Sequence, residues 1–202
     1  MQKKERNIII ILVVSIVAVL GIIAAIFVMK GGDFLPGLSK DKEVTQQVSS
    51  VSGEELDGIL RQQPMYVSGI HYYYKGSEER FTHDAMGASV FNSSDVSAKS
   101  FIVAFCAFDK DGNPIKIRQP NETGEGGYIR TVTYDYAKAN GDKTSLNPNE
   151  TCTDILMFVN NQPQIVTVKA CVKSYVSTED ITWDNPYYKT FTDIYAGKEL
   201  NE

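Results

Sequence analysis

The chain has 202 residues, of which 43% are hydrophobic and 22% are charged, and its net charge is −5 at pH 7. This composition is that of an ordinary folded protein. From residue 31 onward, 24 acidic residues outnumber 16 lysines and arginines, which argues against nucleic acid or anionic headgroups as partners, because both require a concentrated basic surface.

Residues 8–29 form an uninterrupted run of uncharged and almost wholly apolar residues. A helix of this length spans roughly 33 Å, enough for the ~30 Å hydrocarbon core of a bilayer. Lys3, Lys4 and Arg6 precede the run, and only Lys30 follows it closely. The positive-inside rule therefore predicts a single-pass anchor in the cell membrane, with residues 1–7 cytoplasmic and the C-terminal domain extracellular.

A cleaved secretory signal is the alternative to a retained anchor. Such a signal has an apolar core of 7–15 residues that ends at a small-x-small cleavage site. Here the apolar run is longer, and four more apolar residues follow Ala24 and Ala25. These two features favour a transmembrane helix that stays in the mature protein.

Residues 30–47 combine Gly, Pro and charged residues without periodicity, which is typical of a flexible tether. Residues 48–64 predict a short amphipathic helix, because Ser52 and Glu55 form a capping-box pattern and Pro64 ends the segment. This helix either packs on the following domain or binds a partner. Its apolar positions are Val48, Val51, Leu56, Ile59 and Leu60.

From residue 65 to residue 202 the pattern changes to short runs rich in β-branched and aromatic residues, separated by turn residues. Seven such runs favour a mainly β fold, namely an immunoglobulin-like β-sandwich with a C-terminal helix, over a barrel. The predicted strands cover residues 66–75, 81–91, 100–108, 114–118, 128–136, 151–159 and 165–176.

Residues 101–108 are apolar on both alternating faces, which predicts a central strand covered from both sides. The segment 109–113 then predicts a hairpin turn. Asp109, Asp111 and Asn113 also occupy positions 1, 3 and 5 of a calcium loop. However, Pro114 and Pro120 stand where that loop needs Gly and a bidentate Glu, so we favour the turn and expect no metal.

The segment 183–197 carries helix signals in order: Asn185 as cap, Pro186 at the first helical position and Gly197 at the stop. Aromatic residues at helical spacing follow. Packing against the core is the simpler interpretation, and an exposed face that binds a glycan or peptide is the alternative. This candidate interaction face consists of Trp183, Tyr187, Tyr188, Phe191 and Tyr195.

Cys106, Cys152 and Cys171 are the three cysteines of the chain. If residues 160–163 form a four-residue hairpin loop, Cys152 and Cys171 lie directly opposite each other, and an extracellular location permits their disulfide. The hairpin fails if the two strands join opposite sheets, as is common in immunoglobulin-like folds. Cys106 has aromatic neighbours in sequence and no adjacent cation, which predicts a buried thiol.

The sequence contains no catalytic motif. His71 and His83 have no metal-ligand spacing, and there is no nucleophile elbow, phosphate loop or dinucleotide fingerprint. We therefore expect no catalytic residues, cofactor or metal. Asn92, Asn121 and Asn149 each begin an Asn-x-Ser/Thr sequon, which is a glycosylation acceptor in a eukaryotic secretory pathway and a turn signal in a bacterium.

Three local motifs resemble the bacterial extracytoplasmic FxLYD-type domain: residues 91–94, residues 108–113 and residues 146–151. This chain has Phe108 where that family has Tyr, and Asn149 where it has Gly. The segment 183–200 also resembles a related domain of unknown function in Gram-positive membrane-anchored proteins. The resemblance implies an immunoglobulin-like sandwich without catalytic residues, and a bacterial host, in which glycosylation and a native disulfide are less expected.

These observations favour a membrane-anchored extracytoplasmic protein that presents a non-catalytic binding module. Its expected partners are the lipid bilayer, through residues 8–29, and a protein or other cell-envelope component. The second hypothesis is an accessory or sensory subunit of an envelope complex, since Gly21, Ala24 and Ala25 offer a small surface for helix contact. The third hypothesis is an envelope hydrolase that uses scattered carboxylates, or His71 with His83.

Overall fold

A computed structural model describes residues 51–76, 82–141 and 143–200. The chain divides into two units, and these residues all belong to the second one, Val48–Glu202. None of the helices in the described ranges has the length and apolarity needed to cross a membrane. The apolar run at residues 8–29 and the predicted tether lie outside these ranges.

The described residues form two antiparallel sheets and three helices. The first sheet has the order β1-β2-β6, with β1 at Met65–Tyr73, β2 at Asp84–Asn92 and β6 at Thr151–Val159. In the second sheet β3, at Ala98–Phe108, is central. It pairs on one side with β7, at Thr167–Ser177, and on the other with β4, at Pro114–Ile115, and β5, at Arg130–Asp135. Strand β8, at Thr182–Asp184, pairs with β7.

The helices are α1 at Gly53–Leu60, α2 at Tyr136–Asn140 and α3 at Tyr188–Tyr195. Helix α1 begins with the predicted capping box: Ser52 Oγ accepts from the Glu55 N–H at 3.2 Å, and Glu55 Oε2 accepts from the Ser52 N–H at 2.9 Å. Leu56 and Leu60, one helical turn apart, are the buried residues of α1.

Strand β3 is buried on both faces, as the sequence predicts. Phe101, Val103 and Phe105 belong to the main core cluster, which contains residues of both sheets. The alternating residues of β3 join a second cluster, in which helices α1 and α3 cover the outer face of the second sheet; it comprises Ala104, Cys106, Phe108, Cys171, Leu56, Leu60, Phe191 and Tyr195. The expected mainly β, antiparallel fold with a C-terminal helix is therefore confirmed.

The hairpin turn between β3 and β4 is also confirmed. Asp109 Oδ1 accepts from the backbone N–H groups of Asp111 and Asn113, each at 2.9 Å, and Phe108 pairs with Pro114. Hydrogen bonds from Asn113 lower the pKa of the Asp109 carboxyl. The carboxylate that resembles a calcium ligand in sequence thus holds the turn together.

Helix α2 and strand β8 were not predicted from the sequence, and several strands, most clearly β4 and β5, are shorter than predicted. Helix α2 begins where Asp135 accepts from the Lys138 N–H at 3.2 Å, which ends β5 before Tyr136. Trp183, placed by the sequence with the C-terminal helix, lies in β8. Strand β4 stops at Ile115, because Ile117 instead exchanges two backbone hydrogen bonds with Gly127.

Of the two arrangements considered for β6 and β7, the hairpin is wrong, because the two strands belong to different sheets. The connection between them is held by Gln162, whose side chain accepts from the Arg118 N–H at 2.7 Å and donates to the Lys116 carbonyl at 2.8 Å. Cys152 therefore does not face Cys171 across a ladder, and the expected pair is corrected: all three cysteines are free and buried thiols.

The three sequons have different environments. Asn92 is fully buried; its side-chain amide donates to the carbonyls of Val96 and Leu146 at 2.9 and 3.1 Å, and its Oδ1 accepts from Ser94. Asn121 and Asn149 are exposed and have φ values of 67° and 61°, which suits turn residues. The buried side chain of Asn92 thus connects two loops by hydrogen bonds.

We predict that the denatured chain, kept without reductant, yields three free thiols with Ellman's reagent, whereas the folded chain at pH 8 yields almost none within minutes. Burial raises the pKa of Cys106 to about 12, so little reactive thiolate forms in the folded state. A denatured sample with a single thiol would show that a disulfide forms after all.

Gly126 gives a second prediction. Its φ is +82°, and an added Cβ would lie 2.8 Å from the Ile117 carbonyl carbon. We expect Gly126→Ala to lower the free energy of unfolding by about 2–3 kcal/mol in urea titrations. The matched change Gly58→Ala, in α1 with no atom within 4 Å of the new Cβ, should raise it by up to about 1 kcal/mol. Equal effects of both changes would contradict the assigned backbone geometry.

Candidate functional site

The residues of the predicted aromatic interaction face do not form one exposed surface. Phe191 and Tyr195 are 0% and 3% exposed and pack into the second core cluster, so their assignment to an interaction face is wrong. Trp183 stacks on Tyr175 at 5.3 Å between ring centroids. Tyr188 is half-buried and 36% of Tyr187 is exposed. The simpler interpretation, core packing, is confirmed for the inward side of α3.

Asn185 shapes the start of α3 in a way that differs from a simple cap. Its Oδ1 accepts from the Tyr187 N–H at 2.9 Å, and its Nδ2 donates to the Val172 carbonyl at 2.7 Å. The helix consequently begins at Tyr188, two residues after Pro186. Gly197 has a φ of +73°, as expected for the residue after a helix end.

The two histidines lie on different parts of the first sheet. His71 is opposite Gly87, whereas His83 precedes β2, four residues before Gly87 or ~13 Å along the strand. Within residues 51–76, 82–141 and 143–200, no group of three or more His, Cys, Asp or Glu could hold a metal ion. The structure does not bring these histidines together as a catalytic pair.

Among the described residues, Asp84 is the most buried acidic group, and its oxygens accept hydrogen bonds from the protein. They accept from the Lys75 N–H at 2.7 Å, the Gln162 N–H at 3.1 Å and the Tyr72 hydroxyl at 3.2 Å. Burial, together with the Asp84 carboxylate, raises the pKa of Tyr72. This network joins β1, β2 and the β6–β7 connection, which indicates a structural role.

A second polar cluster, the α1 latch, consists of Gly53, Asp57, Lys169 and Tyr195. Lys169 Nζ lies 2.6 Å from Asp57 Oδ2 and 5.4 Å from the Tyr195 ring centroid. The Tyr195 hydroxyl lies 3.0 Å from Asp57 Oδ1 and 2.9 Å from the Gly53 carbonyl, to which it donates. The latch fastens α1 to both β7 and α3, so the first helix of the unit has a fixed place on the second sheet.

Next to the latch is an open cavity of about 230 Å³, here called the β7 cleft. One of its sides is formed by residues 167–172 of β7, and Asn185 lies at one end. Its other walls are Leu60 of α1 and Met65, Val67 and Ile70 of β1, and the charged residues of its lining are Asp57, Arg61 and Lys169. The cleft is therefore a recess alongside a strand, with both apolar and polar walls and three charged residues.

Neither the latch nor the cleft is predicted from the sequence. Asp57 and Lys169 are 112 residues apart, and both have the appearance of ordinary surface charges in the sequence. The cleft forms because of how the strands are distributed between the two sheets. The order of apolar and polar residues in β7 does not reveal that distribution. The strongest available signal was the capping box, which correctly locates α1 but not the surface on which it packs.

Comparison with known proteins identifies a family and a fold. The model of a family of unknown function, DUF5780, matches residues 85–198. A 1.85 Å crystal structure of a hypothetical protein from Peptoclostridium difficile 630 is similar, with a TM-score of 0.55 and 14% identity over 69% of this chain and 95% of that chain. At this identity the similarity concerns the fold alone.

No curated protein matches the chain. The DUF5780 match includes the strands from β2 onward, the Asn185 turn and helix α3, and it extends over more than half of the 202 residues. The chain therefore belongs to the family of unknown function DUF5780.

Proposed function

We propose that the chain is a single-pass membrane-anchored extracytoplasmic protein whose β-rich unit is a non-catalytic binding module. The observation that carries this proposal is the apolar run at residues 8–29 with its basic N-terminal flank, ahead of a folded unit that begins near α1. The partners proposed are the bilayer and a protein or other component of the cell envelope.

A binding role is supported by the structural contacts of the buried and half-buried polar side chains. Asp84, Asp57 and Lys169 connect secondary-structure elements to one another. The β7 cleft, by contrast, is open to solvent and combines apolar side chains with a few polar and charged ones. Apolar recesses with a few polar groups are typical of binding sites. Recognition is therefore the function that this geometry supports best.

We further propose that the unit is an immunoglobulin-like sandwich related to FxLYD-type domains. The consecutive strands β6 and β7 join opposite sheets, as in such sandwiches. The motifs that carry the resemblance have defined local roles: Asn92 connects loops, Asp109 holds a turn, and Glu150 Oε2 accepts from the Asn147 N–H at 3.1 Å. These roles support a common architecture for the motifs.

The α1 latch favours one alternative, in which the protein is an accessory or sensory subunit of an envelope complex. A helix that is fastened at the start of the unit can transmit force or orientation between the preceding chain and the domain. Replacing residues 8–29 by an unrelated transmembrane helix distinguishes the two proposals: it abolishes function in the complex and preserves function in a simple anchored module.

The anchor proposal predicts the behaviour of a variant with Val17→Arg and Leu20→Arg. Each charge at the centre of a membrane helix costs about 2.5–3.5 kcal/mol for insertion. We expect the unaltered chain to remain with bacterial membranes after an alkaline carbonate wash, with its domain open to protease added outside the cell, and the double variant to lose membrane retention.

Leu35→Arg with Leu38→Arg is the matched control, since these leucines lie in the predicted tether. This control should behave like the unaltered chain. Release of the unaltered chain by the carbonate wash, or retention of the Val17→Arg and Leu20→Arg variant, would refute the anchor.

The latch yields a stability prediction. Tyr195→Phe removes the hydroxyl that donates to the Gly53 carbonyl and lies 3.0 Å from Asp57 Oδ1, but keeps the buried ring, so we expect a loss of about 1–2 kcal/mol in the free energy of unfolding. Tyr187→Phe, at a residue that is 36% exposed, should change it by less than about 0.5 kcal/mol. Similar losses in both variants would show that the latch contributes nothing specific.

A further inference from the structure

Strand β7 is much longer than the strand that lies along its outer edge. It contains 11 residues and pairs with β3 from Thr167 to Ser177. On the opposite edge β8 pairs only with the segment 174–176, and the Asn185 N–H then donates to the Lys173 carbonyl at 2.8 Å. Beyond this point the chain turns away at Pro186 into α3. Among the described residues, no strand pairs with the outer edge of β7 from Thr167 to Val172.

The orientation of the backbone groups on this edge can be determined. The register between β3 and β7 shifts at Lys173, which is an extra residue of β7, so the adjacent carbonyls of Val172 and Lys173 can both point to the outer edge. The Val172 carbonyl accepts from Asn185 Nδ2, so it points away from β3. Alternate residues of a strand direct their N–H and C=O groups to the same side, and the pairing of β7 with β3 is regular from residue 172 down to residue 167. Val168 and Ala170 therefore also point their backbone groups to the outer edge, where the described residues supply no hydrogen-bond partner.

These unpaired groups line the β7 cleft. Val168 and Ala170 are both among the residues that line this cavity. One wall of the cleft, with Val67 and Ile70 of β1, is apolar, and the other wall carries Leu60 with Asp57 and Arg61. The N–H and C=O groups of such a sheet edge can pair with the backbone of an extended peptide. The two walls, which differ in polarity, can receive the alternating side chains of that peptide.

We propose that the β7 cleft binds an extended polypeptide segment of a partner protein, which pairs with β7 between Thr167 and Val172 in line with β8. This inference rests on the proposed binding function and gives it a site and a partner class. The side chains of an added strand alternate between the two walls, so the segment carries apolar residues toward β1 and polar or charged residues toward α1. A helical partner cannot pair with this edge, because its backbone N–H and C=O groups are already bonded to each other within the helix.

The probe is a library of random ten-residue peptides displayed on phage and selected on the full-length chain in mild detergent. We expect enriched peptides with alternating apolar and polar residues. N-methylation of synthetic copies, one residue at a time, should weaken binding at least tenfold at every second position and leave the intervening positions unchanged, because only alternate N–H groups face β7. Binding should also slow hydrogen exchange of the Val168 and Ala170 amides.

Two matched substitutions locate the site. Ile70→Glu places a charge in the apolar wall of the cleft and should weaken peptide binding at least tenfold. Ile181→Glu makes the same change at a residue that is 63% exposed and does not line the cleft, and it should leave binding unchanged. Both variants should keep the melting temperature of the unaltered chain, so that a loss of binding reports on the site.

Peptides whose N-methyl scan lacks a period of two, or peptides unaffected by Ile70→Glu, would overturn the inference, as would a selection with no enriched peptide. The proposed binding function is tested separately by crosslinking the full-length chain in intact cells. A protein crosslinked at surfaces remote from the β7 cleft supports that function while refuting this site; the absence of any crosslinked partner counts against the function itself.

Discussion

The two-sided burial of β3 is the constraint on which the rest of the unit depends. One set of its side chains fills the space between the sheets, and the alternating set needs a separate cover, to which helices α1 and α3 contribute the buried residues. Without those helices Ala104, Cys106 and Phe108 would form an exposed apolar stripe on the second sheet. The N-terminal and C-terminal helices are therefore part of the core, although the family match begins only at residue 85.

This constraint explains where sequence reasoning succeeded. A strand that is apolar on both faces has a distinctive pattern, and so have the capping box of α1 and the Asp109 turn, because each depends on residues close together in sequence. These local features were correctly located. The aromatic residues of α3 were recognised as a helical stripe, but periodicity alone does not reveal whether such a stripe faces a sheet or solvent.

Long-range pairing was the part that the sequence did not contain. The β6–β7 connection has the length and composition of a hairpin loop, yet Gln162 bonds to Lys116 and Arg118, more than 40 residues earlier, and the chain crosses from one sheet to the other. A buried glutamine that satisfies two backbone groups leaves no trace in a hydrophobicity pattern. The free edge of β7 is a consequence of that crossing and of the short β8, so the β7 cleft was equally invisible.

Asn92 has a consequence for how the protein can be made. Both hydrogens of its side-chain amide are committed to the carbonyls of Val96 and Leu146, yet the residue heads an Asn-Ser-Ser sequon. A glycan attached there during synthesis would replace one donor and place a bulky polar group where no solvent enters. A host that glycosylates its secreted proteins would consequently produce misfolded chains, whereas sugars on the exposed Asn121 and Asn149 would leave the fold intact.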